Sequence, residues 1–202
     1  MILIPILVVI GAVALDFAFG DPKNKLHPTA WAGSLVARLV PFAKAPSPAA
    51  EKIGGVLVTL AVAGLVAALL VSFDFLTKNP TDIISTIIII LVGSLLLKTT
   101  IAIKGLERHG ALVMDALSKN NLEEARARLS MLVKRSTKDL DRNHVVSGVL
   151  ESTSENIVDG ITGPLFYFGL FGLAGAFVYR TVNTIDSMVG YKNLYGDRKS
   201  VV

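Results

Sequence analysis

The chain contains no cysteine, which excludes disulfides, thiolate metal sites and cysteine nucleophiles and leaves the redox compartment open. Charge is also scarce: charged residues make up 18% of the sequence against 52% hydrophobic ones, with mean hydropathy +0.60. That balance is too apolar for an ordinary soluble domain. No repeat of fixed period recurs, and no Gly-rich phosphate loop of the Walker type is present. The net charge of +4 is small and unevenly placed, which points to membrane topology rather than to nucleic acid as a partner. The expected class is all-α: a polytopic integral membrane protein, with the lipid bilayer as its first partner.

The N-terminal run ILIPILVVIGAVALDFAFG lacks the basic start and the cleavage site of a signal peptide, so residues 2–19 are expected to form a retained first membrane helix. Asp16 stands inside that run, where an acid is a functional candidate by default. Asp21, Pro22, His27 and Pro28 follow where the helix leaves the bilayer, the prolines forcing turn or extended backbone. Residues 41–52 form a polar, Pro-containing linker. Residues 53–73 are an uncharged run of spanning length, and 83–103 supply a third apolar span that passes Lys98. From residue 104 to 160 the composition becomes that of a helical polar insertion. There NNLEEARARLSMLVKR carries a capping Asn, acids in the first turn and bases later, with an apolar stripe of Leu122, Ala125, Leu129 and Leu132. Arg126 and Arg128 read as surface charges, with phosphate binding as the sharper alternative.

Lysine and arginine number five in residues 20–52, one in 74–82 and ten in 98–160. The positive-inside rule therefore places the N-terminus outside and the region 104–160 in the cytoplasm. The fourth apolar run, 161–179, reads GITGPLFYFGLFGLAGAFV before Tyr179. Its glycines and Pro164 suit a broken or re-entrant helix better than a simple span, which would return the polar residues on both sides of it to one cavity.

Those flanking residues carry the chemistry. On a helix over 145–159, Glu151, Glu155 and Asp159 are spaced i, i+4, i+8 and drift only about 80° around the axis, with His144 on the same side. Like charges at that spacing repel, so a divalent metal or a basic cluster is expected against them. In the second flank Arg180, Asn183, Asp186 and Ser187 share one helix face.

The motifs LDFAFGDP at 15–22 with His27-Pro28, RLSMLVKRST at 128–137, ESTSENIVDGITGPLF at 151–166 and YRTVNTIDSMVGYK at 179–192 resemble the adenosylcobinamide-phosphate synthases, membrane proteins of cobalamin biosynthesis (CobD/CbiB). They occur in the family's order and spacing across nearly the whole chain. One position departs: Arg135-Ser136-Thr137 stands where members usually read Arg-Asp-Thr. Members also continue well past the GYK motif. Residues 1–196 are therefore expected to be the N-terminal part of a single membrane-embedded domain, and DRKSVV at 197–202, which matches a translated sequencing adapter, a non-native tail.

The resemblance implies an ATP-dependent amide ligase joining adenosylcobyric acid to aminopropanol or its phosphate. It implies ATP and Mg²⁺ as cofactors, a corrinoid and the amine as substrates, and other membrane corrinoid enzymes as partners. Mg²⁺ takes carboxylate oxygens, which makes Glu151, Glu155, Asp159 and Asp186 the catalytic candidates and the first three of them the metal candidates. Asp21, His27, Arg135, Asn156, Arg180, Asn183, Tyr191 and Lys192 are the candidates for substrate binding. Two other classes stay open: a Mg²⁺-dependent membrane transferase acting on a diphosphate, of which Asp159-Gly160 is a faint echo without the paired Asp-rich motifs, and a non-enzymatic transporter or scaffold using its intramembrane acids for ions or packing.

Overall fold

The computed structural model describes residues 3–21, 27–44, 46–77, 79–133 and 135–189, and among them every regular element is helical. Helix α1 is Leu3–Phe19, α2 Pro28–Ala43, α3 Pro48–Leu76, α4 Ile83–Lys98, α5 Ile103–Ser118, α6 Leu122–Leu129 and α7 Arg142–Ile157. A π-helical turn, Val158–Thr162, joins α7 to α8, Gly163–Val189. Helix α3 and the stretches Ile83–Ser118 and Arg142–Met188 are long and apolar enough to cross a membrane, and α1 is a shorter apolar helix. The protein is a membrane protein of all-α class.

Two of those stretches are not straight. The first is interrupted at residues 99–102, between α4 and α5, so the third span ends at Lys98 rather than running to 103. The cause is Asp16: its Oδ2 accepts the N–H of Ile103 at 3.0 Å and of Lys104 at 2.9 Å, capping α5 from another helix. Buried Lys98 donates to the Gly20 carbonyl and lies 4.0 Å from Asp16 Oδ1, and Lys104 Nζ donates to Ala18 O at 3.0 Å. The acid inside the first apolar run thus fastens α1 to the α4–α5 junction.

The second stretch reverses. Phe171 and Gly172 leave the helical region, Gly172 with φ +64° and ψ −154°. Beyond them the chain runs back along itself: the rings of Tyr167 and Tyr179 stack with centroids 5.1 Å apart, and a side chain at Gly163 or Gly175 would collide with Tyr179 or with the Tyr167 backbone. Asp74, near the end of α3, accepts the backbone N–H groups of Leu173 and Ala174 and so caps the returning leg. The expected re-entrant segment is a helical hairpin with legs 163–170 and 173–189.

Lipid offers no hydrophobic drive for helix association, so close packing and interhelical hydrogen bonds must hold the bundle. Helix α1 meets α4 where Gly11 faces Ser94 and Gly93 faces Val8, and Ser94 Oγ donates to Val8 O at 3.1 Å. Val8, Ala12, Leu97, Ile101, Leu173, Ala176 and Phe177 form the core there, and Val36, Val62 and Ile185 a smaller one between α2, α3 and α8. Helix α3 leaves Leu57, Leu60, Leu65 and Leu69 exposed, as a lipid-facing helix does. It begins at Pro48, capped by Ser47 Oγ on Ala50 N, and α2 includes Pro41, so the linker expected over 41–52 shrinks to 44–47.

The polar region packs as a soluble domain would. Val113, Leu117, Ala125, Leu129, Val145 and Val149 join α5, α6 and α7; each large aliphatic buried is worth about 1.5–3 kcal/mol where water is the alternative. Asn121 Oδ1 caps α6 through Glu124 N at 3.1 Å, as its sequence suggested. The helix stops at Leu129, short of the expected Arg135, and Arg126 takes over the chain's path. Its Nε donates to Leu140 O at 2.6 Å and its own carbonyl accepts from Thr137 Oγ1 at 2.9 Å. Arg128 pairs with Glu124 at 3.2 Å along the same helix.

Candidate functional site

Four chain segments meet at one level of the bundle: the exit of α1, the α4–α5 junction, the π-turn and the middle of the returning leg of α8. The π-turn is locked there by Ala102 N donating to Gly160 O at 3.1 Å. Single π-turns of this kind recur at functional sites because they turn side chains out of helical register. Here Asp159 is turned toward the hairpin's second leg: Tyr179 Oη donates to Asp159 Oδ1 at 3.3 Å, and Arg180 Nη1 donates to the Asp159 carbonyl at 3.1 Å and reaches Asn183 Oδ1 at 3.5 Å.

Two cavities open beside this junction. The larger, about 340 Å³, is lined by Arg135, Glu151, Ser152, Glu155, Asn156, Asp159 and Ser187. It brings together all three members of the acidic stripe. Arg135 donates to Glu151 Oε2 at 2.5 Å, both side chains about half exposed, so the basic partner expected against the stripe is present at its outer end. Among the described residues no three His, Asp or Glu side chains lie close enough to hold one metal ion by themselves. The stripe runs from α7 into the π-turn and spreads its carboxylates along the cavity instead of converging them. His144 stands seven residues before Glu151 on the same side of α7, at the helix start, where Asp141 Oδ1 accepts its backbone N–H at 2.9 Å.

The smaller cavity, about 160 Å³, is lined by Asp21, Gly105, His109, Asn156, Gly160 and Arg180, with Ala102, Leu106 and Leu132. Asn156 and Leu132 belong to both walls. Asn156 Nδ2 donates to the Ser152 carbonyl at 2.8 Å and to its hydroxyl at 3.3 Å, which fixes the amide in the wall that the two cavities share. Asp21 presses on α5 where only glycine fits: a Cβ on Gly105 would lie 2.6 Å from Asp21 Oδ2. Burial and the neighbouring Asp16 raise the Asp21 pKa, against the pull of Lys98, His27 and Arg180. His27, beside it, has its pKa lowered by burial, partly offset by Asp21; its Nδ1 lies 2.6 Å from Thr29 Oγ1.

Of the substrate candidates, Asp21, Asn156 and Arg180 therefore meet in the small cavity and Arg135 lies at the large one. Asn183 supports Arg180, and His27 lines neither cavity. Asp186, expected among the catalytic acids, is exposed and lines neither cavity, because one helical step separates it from Ser187, which does. Tyr191 and Lys192 lie outside the described residues. Sequence reasoning missed Tyr179, His109 and Gly105. The i, i+4 spacing of Gly105 and His109 on α5 is the signal that could have found the last two.

The sequence pattern of the family described as CobD/Cbib protein matches residues 9–197. Among curated relatives, "Probable cobalamin biosynthesis protein CobD" of Thermoplasma volcanium is 38% identical over 195 residues, 96% of this chain and 60% of its own. The protein of the same name from Methanothermobacter thermautotrophicus is 39% identical over 91% of this chain and 57% of its own. "Cobalamin biosynthesis protein CobD" of Leptospira interrogans is 38% identical over 90% and 56%. The chain thus spans roughly three fifths of the length of the curated relatives it matches. No solved structure matches it. With a family match over nearly its whole length and relatives sharing more than a third of their aligned residues, the chain belongs to the CobD/CbiB protein family.

Proposed function

We propose that the chain carries the site-bearing part of a ligase of cobalamin biosynthesis, one that uses ATP to join the carboxyl of adenosylcobyric acid to aminopropanol or its phosphate. The observation that carries this reading is the pair of adjacent cavities, one acidic and one of mixed charge, whose walls share Asn156 and Leu132. Amide ligation needs two places: one where a carboxyl is activated beside nucleotide phosphates, and one where an amine waits. The relatives' names supply the pathway. The ligation chemistry and the two substrates come from the motif resemblance.

The donor set fits Mg²⁺ of one kind only. With no three-acid cluster among the described residues, a resident all-protein ion has no cage; Mg²⁺, however, commonly takes one or two carboxylates and completes its shell with water and substrate phosphates. Glu155 and Asp159 would hold it in the large cavity, since Glu151 is paired with Arg135. When bound, the ion neutralises phosphate oxygens during transfer. Arg135 would bind the nucleotide's outer phosphates. Asn156, fixed by Ser152, would orient the corrinoid carboxyl toward the amine. Positioning of this kind is the larger part of such catalysis, because the reacting groups bring their own chemistry.

A full-length family member carrying these residues should convert adenosylcobyric acid and the amine to the amide only when both ATP and Mg²⁺ are present, as followed by mass spectrometry. Product formed equally well without nucleotide, or cleavage of a diphosphate substrate in its place, would overturn the reading.

A further inference from the structure

Two buried nitrogens have no hydrogen-bond partner among the described residues: His109 Nδ1 and Arg180 Nε. Both residues line the same small cavity. Buried polar groups are nearly always paired, and leaving two unpaired at one wall is costly unless a ligand or water completes them. Arg180 is already held by its Nη1 on the Asp159 carbonyl, and its buried Nε is left without a partner in a residue that lines the cavity. His109 stands one turn beyond Gly105, against which Asp21 packs, so acid and imidazole share one face of α5.

We infer that this small cavity is the pocket for the amine acceptor and that His109 is a binding residue in it. An oxyanion on the acceptor lies against Arg180 and His109, and its amine lies on the side of Asp21. The volume decides what can enter. Pockets for cofactors and drug-sized ligands run to roughly 300–1,000 Å³; at about 160 Å³ this one admits neither a nucleotide nor a corrinoid. Its charges decide the ligand's character, since one carboxylate, one guanidinium, one imidazole and one amide suit a small zwitterion. Asn156 places that ligand one side chain away from the contents of the acidic cavity. The identity of the ligand as the acceptor rests on the ligase reading above; the pocket itself does not.

Binding to the 202-residue chain in detergent tests the inference, with inorganic phosphate, 1-amino-2-propanol and its phosphate ester as probes. The chain has three histidines, so imidazole NMR signals can be assigned, that of His109 by its loss in H109Q. The phosphate ester should move the His109 signal and bind at least tenfold tighter than inorganic phosphate, and D21N should remove most of that advantage. H109F should weaken ester binding at least tenfold, while H109Q, which keeps a hydrogen-bonding group, should stay within about threefold. If H109F fails to fold, the signal in the wild-type chain still decides. A His109 signal unmoved by any probe at saturation would mean that the cavity holds only water, and would overturn the inference. So would ester binding unaffected by H109F, displacement of the ester by MgATP, or a signal that moves only with phosphatidic acid in mixed micelles. The ligase assay fails separately: His109-dependent ester binding without amide product would keep the pocket and remove the reaction, and amide product with His109-independent binding would do the reverse.

Discussion

The phenol of Tyr179 donates to Asp159 Oδ1 at 3.3 Å across twenty residues of chain. In a continuous helix those residues would stand about 30 Å apart. They meet because the chain reverses at Phe171 and Gly172, and this reversal brings the polar flanks of the fourth apolar run to one end of the bundle. Asp74 holds the far end of the same hairpin. The site therefore depends on a turn on the opposite side of the fold.

That turn is a point of strain for any residue but glycine. Gly172 sits at φ +64° and ψ −154°, a region that is essentially glycine-only and costs other residues about 1–3 kcal/mol. An added Cβ would also lie 2.8 Å from Asp74 Oδ2. Gly172→Ala should lower the thermal unfolding midpoint in detergent by several degrees and weaken ligation in a full-length family member. An unchanged midpoint would show that the tip relaxes freely.

The reversal predicts which residues share a side of the membrane. Lys119 and Asp186 should lie together in the cytoplasm, with Thr81, in the short α3–α4 connection, on the opposite face. The chain has no native cysteine, so single cysteines at these positions report without background. Only the cysteine at 81 should react with an impermeant thiol reagent added outside intact cells; labelling at 186 together with 81 would mean that the second flank crosses.

Much of this was legible in the sequence, and the parts that were not share a cause. Apolar length located the spans, and the glycines with Pro164 announced a broken fourth run, because a helix interrupted within lipid must be packed against protein. The spacing of Glu151, Glu155 and Asp159 placed them on one wall correctly. The role of Asp16 was hidden, because its partners, the N–H groups of Ile103 and Lys104, lie more than eighty residues away and carry no side-chain signature. His109 was hidden for a related reason: a lone histidine in an amphipathic helix reads as surface until the fold places it in a cavity wall with Asp21 and Arg180. Asp186 lies in the continuous leg beyond Gly172, yet it is exposed and lines neither cavity, because whether a helix face meets a cavity depends on the packing of other elements, which face counting does not include.

Asp21 connects the site to pH. Its pKa is raised above the ordinary 3.8, first by burial and then by Asp16, so the native state favours the protonated acid. The resulting stability is fully present below pH 3.8 and is lost as the pH rises through the folded value. At neutral pH the ionised carboxylate is therefore a burden, reduced by solvent because the group is only half buried. Asp21→Asn should be slightly more stable than wild type at pH 7, by less than about 1 kcal/mol, and the gain should vanish as the pH approaches 3.8. A gain that persists at acidic pH would assign the effect to packing rather than ionisation. Stability gained together with ligation lost is the pattern of a functional acid.

Asp159 has two possible duties, and one pair of variants separates them. Its carboxylate faces the acidic cavity and also accepts the Tyr179 phenol, so it either holds Mg²⁺ with the nucleotide or merely closes the hairpin. Tyr179→Phe removes the hydrogen bond and leaves the charge, at a cost of about 0.5–1.5 kcal/mol in stability. Asp159→Asn removes the charge and keeps an acceptor of nearly the same shape. If the carboxylate serves the ion, Tyr179→Phe should retain ligation within about tenfold. Asp159→Asn should then lose at least a hundredfold, about 2.7 kcal/mol of transition-state stabilisation, and raise the Mg²⁺ concentration needed for half-maximal rate. The Arg180 contact is made by the Asp159 backbone carbonyl, so it survives both substitutions and does not blur the comparison. Equal losses in the two variants, with an unchanged Mg²⁺ dependence, would make Asp159 a latch of the hairpin and move the metal-binding role to Glu151 and Glu155.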